Sequence, residues 1–302
     1  MITWQRLEYD VLETGANEFD KQVRKLEKSQ KDIDKLHPFI KLKSAIKGFK
    51  DSLPLIRNLT DPAVIERHWI RIMEETSKDI GEINLKTFTL SKVFELELQF
   101  HEEKVTEICK EAKEEKKNDE TISKIDDRWK SYYFEVFKHM NKTTNEFKGW
   151  AIKSPDEVRE KIEEDILLLQ TVGSSKYARS IKQKVAQWEA DLNLVSDVID
   201  IWMQVQRKWI YLESIYSSED IKIQLQEDAK KFMKVHQTYS KVMEATQKDS
   251  RVLYQCKEGN KLNELRGISV ELDRCQKNLT AYLENKRQVL PRFYFVPDDD
   301  LL

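Results

Sequence analysis

The stretch IWMQVQRKWIYLESIYSSED, residues 201–220, decides how the rest of the chain must be arranged. Within it Trp202, Trp209, Tyr211 and Tyr216 are interleaved with Met203, Val205, Ile210, Leu212 and Ile215. Each large aromatic covers roughly 150–250 Å² when enclosed, so these side chains need neighbours on more than one side. That predicts a central helix of a layered helical body rather than one face of a free coiled coil. Arg207 and Glu213 lie inside the aromatic run, where a charge must be paired or reach water. The ordinary reading is core packing for Trp209 and Tyr211, and a core pair or snorkelling groups for Arg207 and Glu213. The functional reading is contact with a partner surface.

Working outward, Ile181, Val185, Trp188, Leu192 and Val195 hold helical spacing and lead into this stretch with no Gly or Pro. One very long helix, or two nearly collinear ones, is expected. Before it, Ser154-Pro155-Asp156-Glu157 reads as a capping box, opening a helix through Val158, Ile162, Ile166 and Leu169 to about Gly173. After it, Ser217-Ser218-Glu219-Asp220 reads as a stop and a new cap. Phe232, Val235, Tyr239, Val242 and Met243 mark another helix, and Gly259-Asn260 a break. Leu262, Leu265, Leu272, Cys275, Leu279 and Tyr282 form a last seam, ending before Pro291. Arg292-Phe293-Tyr294-Phe295-Val296 is aromatic and short, which suggests a buried strand or extended arm. Residues 298–302 look like the start of an unfinished helix.

Towards the N-terminus, Phe19, Val23, Leu26, Ile33 and Leu36 make a narrow amphipathic seam. Pro38 is placed to open a helix whose apolar surface reaches Pro54, and Asp61-Pro62 to cap the next, with Ile65, Trp69, Ile72 and Met73 on one side. Residues 83–89 are ambiguous. A long helix is expected from about 90 to 115. The charged run 113–120 reads as a solvated helix end or loop. Thr121 then caps a helix carrying Ile122, Ile125, Trp129, Tyr132, Val136 and Met140. Residues 147–152, FKGWAI, suit a short strand or hairpin arm.

Composition agrees with long helices: 35% charged, 39% hydrophobic, with seven Gly and six Pro in 302 residues. Lys and Arg number 52 against 54 Asp and Glu, so no basic excess points to nucleic acid. No uncharged apolar run is long enough to span a membrane, and the charged N-terminal residues leave no signal-peptide core. Cys109, Cys256 and Cys275 are sparse and unpatterned, as in a protein with reduced thiols. These features suggest a soluble, intracellular protein.

Chemistry-bearing motifs are missing. All seven Gly are isolated, so no phosphate loop or dinucleotide fingerprint can be written. His101-Glu102-Glu103-Lys104-Val105 opens like a zinc-protease helix without its second His. Cys275 sits on an apolar seam as a small hydrophobe. Neither a catalytic residue, a cofactor site nor a metal site is expected in this chain.

An ordered series of segments resembles the linker region of dynein heavy chains, the ATP-driven microtubule motors. It comprises Leu53-Pro54-Leu55-Ile56, Asp61-Pro62, Glu66-Arg67-His68-Trp69, then residues 205–213 (VQRKWIYLE) and Ser218-Glu219-Asp220-Ile221. It continues with Gln224-Leu225, Ala229-Lys230-Lys231-Phe232, Tyr282-Leu283-Glu284, Lys286-Arg287 and Pro291-Arg292-Phe293-Tyr294-Phe295. Order and approximate spacing match from about residue 38 to 302, closer to axonemal than to cytoplasmic heavy chains. Departures are Ser214 and Gln226 where the family usually has Pro, Tyr239 where Trp is common, and Leu290 where Phe is frequent.

The resemblance implies a mainly α, elongated rod of stacked helical bundles with a short β element or two. Residues 1–37 would enter from the tail, 38–153 would form the N-terminal part of the linker and 154–302 its central part. Candidate structural or contact residues are Arg207, Trp209, Tyr211, Glu213 and Pro291, Arg292, Phe293, Tyr294, Phe295. ATP would belong to the motor ring of the same heavy chain, beyond this segment. By the same implication the parent is an ATPase that meets microtubules through its stalk and intermediate and light chains through its tail. It would work in the cytoplasm, in a ciliary or flagellar axoneme. A competing expectation is a free-standing spectrin-like or coiled-coil scaffold, drawn from the seams at residues 19–36 and 262–282.

Overall fold

The computed structural model describes residues 4, 7–29, 33–78, 81, 88–141, 145–178, 181–289 and 291–296, apart from the side chains of residues 34 and 291. Among them are eleven α-helices and one two-stranded antiparallel sheet, so the chain is mainly α, as expected. The helix start expected at 298–302 and most of the ambiguous stretch 83–89 fall outside the described residues. None of the described helices is long and apolar enough to cross a membrane. The chain packs as two compact units, residues 1–120 with 176–180, and residues 121–175 with 181–302.

The first unit contains α1 (Tyr9–Ser29), α2 (His37–Leu59), α3 (Glu66–Thr76), α4 (Leu90–Glu95) and the larger part of α5 (Glu102–Lys130). Pro38 lies in the first turn of α2, where its missing N–H costs nothing. The helix does not stop at Pro54, because Leu53, Leu55, Ile56 and Leu59 hold its last turns in the core. Asp61 Oδ1 accepts the Ala63 N–H at 2.9 Å, so Asp61-Pro62 shapes a turn, and α3 starts later, at Glu66. Trp69 is fully enclosed, meeting Trp4 and Phe88 edge-on at ring separations of 5.3 and 5.2 Å. Ile65, expected beside it, is exposed.

Two expectations fail along α4 and α5. The helix predicted from 90 to 115 is interrupted: Glu97 adopts a left-handed φ of 48°, and a 3₁₀ turn, Leu98–Phe100, precedes α5. Conversely, the charged run 113–120 is uninterrupted helix, and Thr121 lies inside α5 rather than at a helix start. The buried face of α5 runs through Val105, Ile108, Cys109 and Ala112, then continues through Glu115 and Asn118. The seam passes through the charged run disguised as polar residues. Glu115 is tolerated there because Arg67 and His68 reach it, His68 Nε2 at 3.1 Å. His68 Nδ1 accepts the Ile65 N–H at 3.1 Å. Burial pushes that imidazole below its ordinary range, with Glu115 opposing.

In the second unit α5 ends at Lys130 and the chain turns extended. Phe134 N–H donates to the Ser250 carbonyl at 2.7 Å and Val252 N–H to the Tyr132 carbonyl at 2.9 Å. Strand β1 (Val136–Met140) then pairs antiparallel with β2 (Phe147–Ile152), Val136 opposite Ile152 and His139 opposite Gly149. The hairpin arm at 147–152 is as expected, whereas Val136 and Met140 are strand residues rather than helical ones. Their run of aromatic and β-branched neighbours suits a pleated surface once a partner strand is supplied.

Helix α6 (Asp156–Ser174) starts after Ser154-Pro155, but the capping box is not made: Ser154 Oγ bonds the Asp156 carboxylate, and Pro155 stands at the N-cap. Helix α7 (Lys182–Tyr216) is one continuous helix, the first of the two arrangements expected, of 35 residues, or about 50 Å at 1.5 Å per residue. Around it pack α6, α9 (Gln226–Lys248), α10 (Val252–Lys257) and α11 (Lys261–Val289), with α8 (Glu219–Gln224) after its end. Trp202, Val205, Trp209 and Leu212 are fully buried, as a helix with neighbours on several sides requires. Ser214 sits inside α7, its Oγ donating to the Tyr211 carbonyl at 2.7 Å, so the absence of Pro there leaves the helix continuous.

The carboxylate of Asp165 on α6 is fully buried; it accepts the Trp129 indole N–H at 2.8 Å and pairs with Arg128. Asp165→Ala strands a buried N–H donor, and the unfolding free energy of the second unit is expected to fall by about 3 kcal/mol. Asp165→Asn, which keeps an acceptor, is expected to lose roughly half of that. Urea denaturation followed by tryptophan fluorescence checks both.

Candidate functional site

The hairpin is seated on α7 by residues spaced one helical turn apart. Trp202, Gln206, Trp209 and Glu213 share one stripe of that helix, and all four are buried. Gln206 replaces a neighbouring strand. Its Oε1 accepts the Ile152 N–H at 2.8 Å and its Nε2 donates to the Ile152 carbonyl at 2.7 Å. Tyr239 O–H adds a donor to the same Oε1 at 3.3 Å. Two backbone groups of β2 that would otherwise be buried and unpaired are thus satisfied. Burial pushes the Tyr239 hydroxyl well above the usual phenol range, so it remains a donor.

One turn on, Trp209 lies under the bare backbone of Gly149. A Cβ placed there would come within 3.2 Å of the indole Cη2, and Gly149 has φ +151°, a region L side chains rarely adopt. His139 meets the indole edge-on at 5.4 Å, and His236 stacks on it at 5.8 Å. The indole N–H donates to His236 Nδ1 at 3.1 Å, which requires that nitrogen to be unprotonated. Burial holds His236 below the ordinary imidazole range; Glu213 works against that shift and Lys148 reinforces it.

Glu213 completes the seat. It is 3% exposed, accepts the Ser217 hydroxyl at 2.6 Å, and has Lys148 Nζ at 3.8 Å and His139 Nε2 at 3.9 Å. The hairpin therefore brings positive charge to a carboxylate that α7 alone would leave buried. The buried thiols are pushed up by their surroundings, Cys109 and Cys275 to about 11 and Cys256 to about 12. The seat joins α7 to the hairpin through Gln206, Trp209 and Glu213.

The sequence candidates separate accordingly. Trp209 and Glu213 are brought together. Arg207 is exposed and forms no ion pair with any described residue, so it is not the partner of Glu213. Tyr211 is half-buried, outside the seat. Residues Pro291–Phe295 are neither strand nor extended arm but a 3₁₀ turn, for which Arg287 supplies bonds to the Phe293 and Val296 carbonyls at 3.3 and 3.1 Å. Nor are Arg292, Tyr294 and Phe295 buried: Phe295 is 92% exposed, Arg292 is exposed, and Tyr294 reaches back to Glu284 at 2.7 Å. Five groups went unrecognised in the sequence: Gln206, His139, Lys148, His236 and the special role of Gly149. Gln206 alone carried a signal, as a polar residue in step with Trp202 and Trp209.

Comparison with known proteins gives a consistent family. The family model described as Dynein heavy chain, N-terminal region 2, matches residues 1–302. Dynein axonemal heavy chain 10 of Homo sapiens is 36% identical over 299 residues, covering 99% of this chain and 6% of that protein. The dynein-1-alpha heavy chain of the flagellar inner arm I1 complex of Chlamydomonas reinhardtii is 36% identical over 300 residues, again 99% and 6%. Dynein axonemal heavy chain 1 of Mus musculus is 32% identical over 300 residues, 98% and 7%. The chain spans only 6–7% of the length of these relatives.

Gly149→Ala is expected to lower the stability of the second unit by about 2 kcal/mol through its φ and its approach to Trp209. In the Trp209→Phe background part of that cost should vanish, because the smaller ring leaves room for the methyl group. A double-mutant cycle in urea reads the coupling directly.

Proposed function

We propose that this chain, which belongs to the dynein heavy chain N-terminal region 2 family, is the linker segment of an axonemal heavy chain and acts as a mechanical lever. In this reading residues 1–37 enter from the tail, 38–153 form the N-terminal part of the linker and 154–302 its central part. A motor ring in the same polypeptide binds and hydrolyses ATP, and the lever carries the ring's shape changes to the tail. Microtubules are met by the stalk and the intermediate and light chains by the tail, so this segment itself needs no catalytic group. Its place of work is the ciliary or flagellar axoneme.

The observation that supports a mechanical role is the bracing of α7. A lone helix bends easily, whereas one packed by other elements on several sides resists bending because each bend must open a close-packed core. Here four helices and a hairpin pack around 35 residues. The polar bonds at Gln206 and Glu213 hold the hairpin in one register, so load on the helix is shared with β2.

The test softens α7 without touching its core. Gln204 and Arg207 are both exposed. Replacing both by Gly in the parent heavy chain costs about 1 kcal/mol each in helix propensity and loses no buried contact. ATP turnover is expected to stay within about twofold while microtubule gliding slows at least about threefold. Unchanged gliding in a folded double variant would overturn the lever.

A further inference from the structure

One face of the second unit carries lysines that form no ion pair with any described residue. On α9, Lys231, Lys234, Lys241 and Lys248 are all exposed and follow one stripe; Glu227, seven residues before Lys234, is taken by Lys230, and Glu244 stands beside the stripe, three residues from Lys241, in no ion pair with it. Lys231 pairs with Asp228 at 3.2 Å. Lys234, Lys241 and Lys248 form no ion pair with any described residue, although Lys222 and Lys230 nearby take acidic partners three residues away. Lys234, Lys241 and Lys248 recur every seven residues, which on a helix is a rise of about 10.5 Å.

The upper part of this stripe is the wall of a groove between α9 and α11 of about 790 Å³, within the size range of specific binding clefts. Its floor is apolar, formed by Val235, Ile268 and Cys275, each less than a tenth exposed. Gly267 opens the floor further: a Cβ there would touch nothing within 4 Å, so no packing within the chain requires glycine. Yet Gly inside a helix costs about 1 kcal/mol relative to Ala. The opposite wall carries Glu264 and Glu271, balanced by Lys261 and Arg274.

We propose that this groove is a docking site for an amphipathic partner helix that lays an apolar seam on the floor and presents an acidic edge to the lysine stripe. The occupant follows from the shape and the charge together. A concave apolar floor accepts side chains standing up from a helix, whereas a bilayer offers no ridge to enter it. Carboxylates on the α11 wall would repel a phosphate backbone, but they sit opposite the far edge of a helix whose near edge alone is acidic. A partner running along α9 with a carboxylate at every seventh residue meets Lys234, Lys241 and Lys248 in register. This surface lies away from the hairpin seat, and it stands whether or not the segment is a lever.

The probe is a fluorescein-labelled synthetic helix of about 21 residues with a Leu seam and Glu at every seventh position of one edge. Its anisotropy is titrated with the 302-residue chain. A control peptide carries Lys at those positions. The acidic-edge peptide is expected to bind at least about tenfold more tightly than the control, and Lys234→Glu with Lys241→Glu to abolish that difference. Gly267→Leu fills the floor while favouring the helix, and should weaken binding comparably with circular dichroism unchanged. Lys116→Glu, on an exposed position of α5, should leave binding intact. Equal binding of the two peptides, no binding of either, or wild-type affinity in the lysine and glycine variants would overturn the proposal. So would tighter binding to phosphatidylserine vesicles or a 20-nucleotide single strand, lost in the same lysine variant, by assigning the surface to another class of ligand.

Discussion

The second unit depends on how Gln206 meets Ile152. Two hydrogen bonds between one side-chain amide and one residue's backbone, at 2.8 and 2.7 Å, let a helix stand in for the missing strand of a two-stranded sheet. An isolated hairpin is marginal in water. Here its inner edge is closed by Gln206, its face is held by Trp209 against Gly149, and its charges answer Glu213. Each bond satisfies a group that would otherwise be buried without a partner, at about 1–3 kcal/mol for each group left bare. The hairpin needs the helix to exist, and the helix needs the hairpin to enclose its polar residues.

The same device recurs where polar groups enter the cores. Glu115 is met by Arg67 and His68, and Asp165 by Arg128 and Trp129. Buried ion pairs contribute little net stability compared with apolar packing, but each one fails badly if a partner is lost. They therefore act mainly on register. A one-turn slip of α5 would separate Glu115 from His68, and a slip of the hairpin would separate Lys148 and His139 from Glu213. Both imidazoles that matter, His68 and His236, accept a hydrogen bond through Nδ1, so burial and geometry favour the same neutral ring.

Much of this architecture is legible in the sequence because helices that bury large residues announce themselves by period. The run from Ile181 to Tyr216 reads as one very long helix or two collinear ones, and the seam from Leu262 to Tyr282 as another, since both place apolar residues every three or four positions. Failures came where polar residues occupied seam positions, as at Glu115 and Asn118, or where a period was coincidental, as at Val136 and Met140. Local signals also gave way to tertiary ones: Pro54 did not end α2, and Ser154 chose the Asp156 side chain over the backbone. The site was half visible. Trp209 and Glu213 stood out by type, whereas His139, Lys148 and His236 come from segments distant in the chain, and no spacing rule brings them together. Gln206 was in plain view as the only uncharged polar residue in step with two tryptophans.

Hydrogen exchange at the Ile152 amide tests the central claim most directly. That N–H has Gln206 Oε1 as its acceptor, while the neighbouring Lys153 N–H donates across the hairpin to the Glu135 carbonyl at 2.8 Å. In a Gln206→Leu variant the Ile152 amide is predicted to exchange at least about tenfold faster, with α6 amides such as that of Leu169 keeping their protection. Unchanged exchange at Ile152 in that variant would contradict the account, since the hairpin would then be held on α7 by something other than this amide.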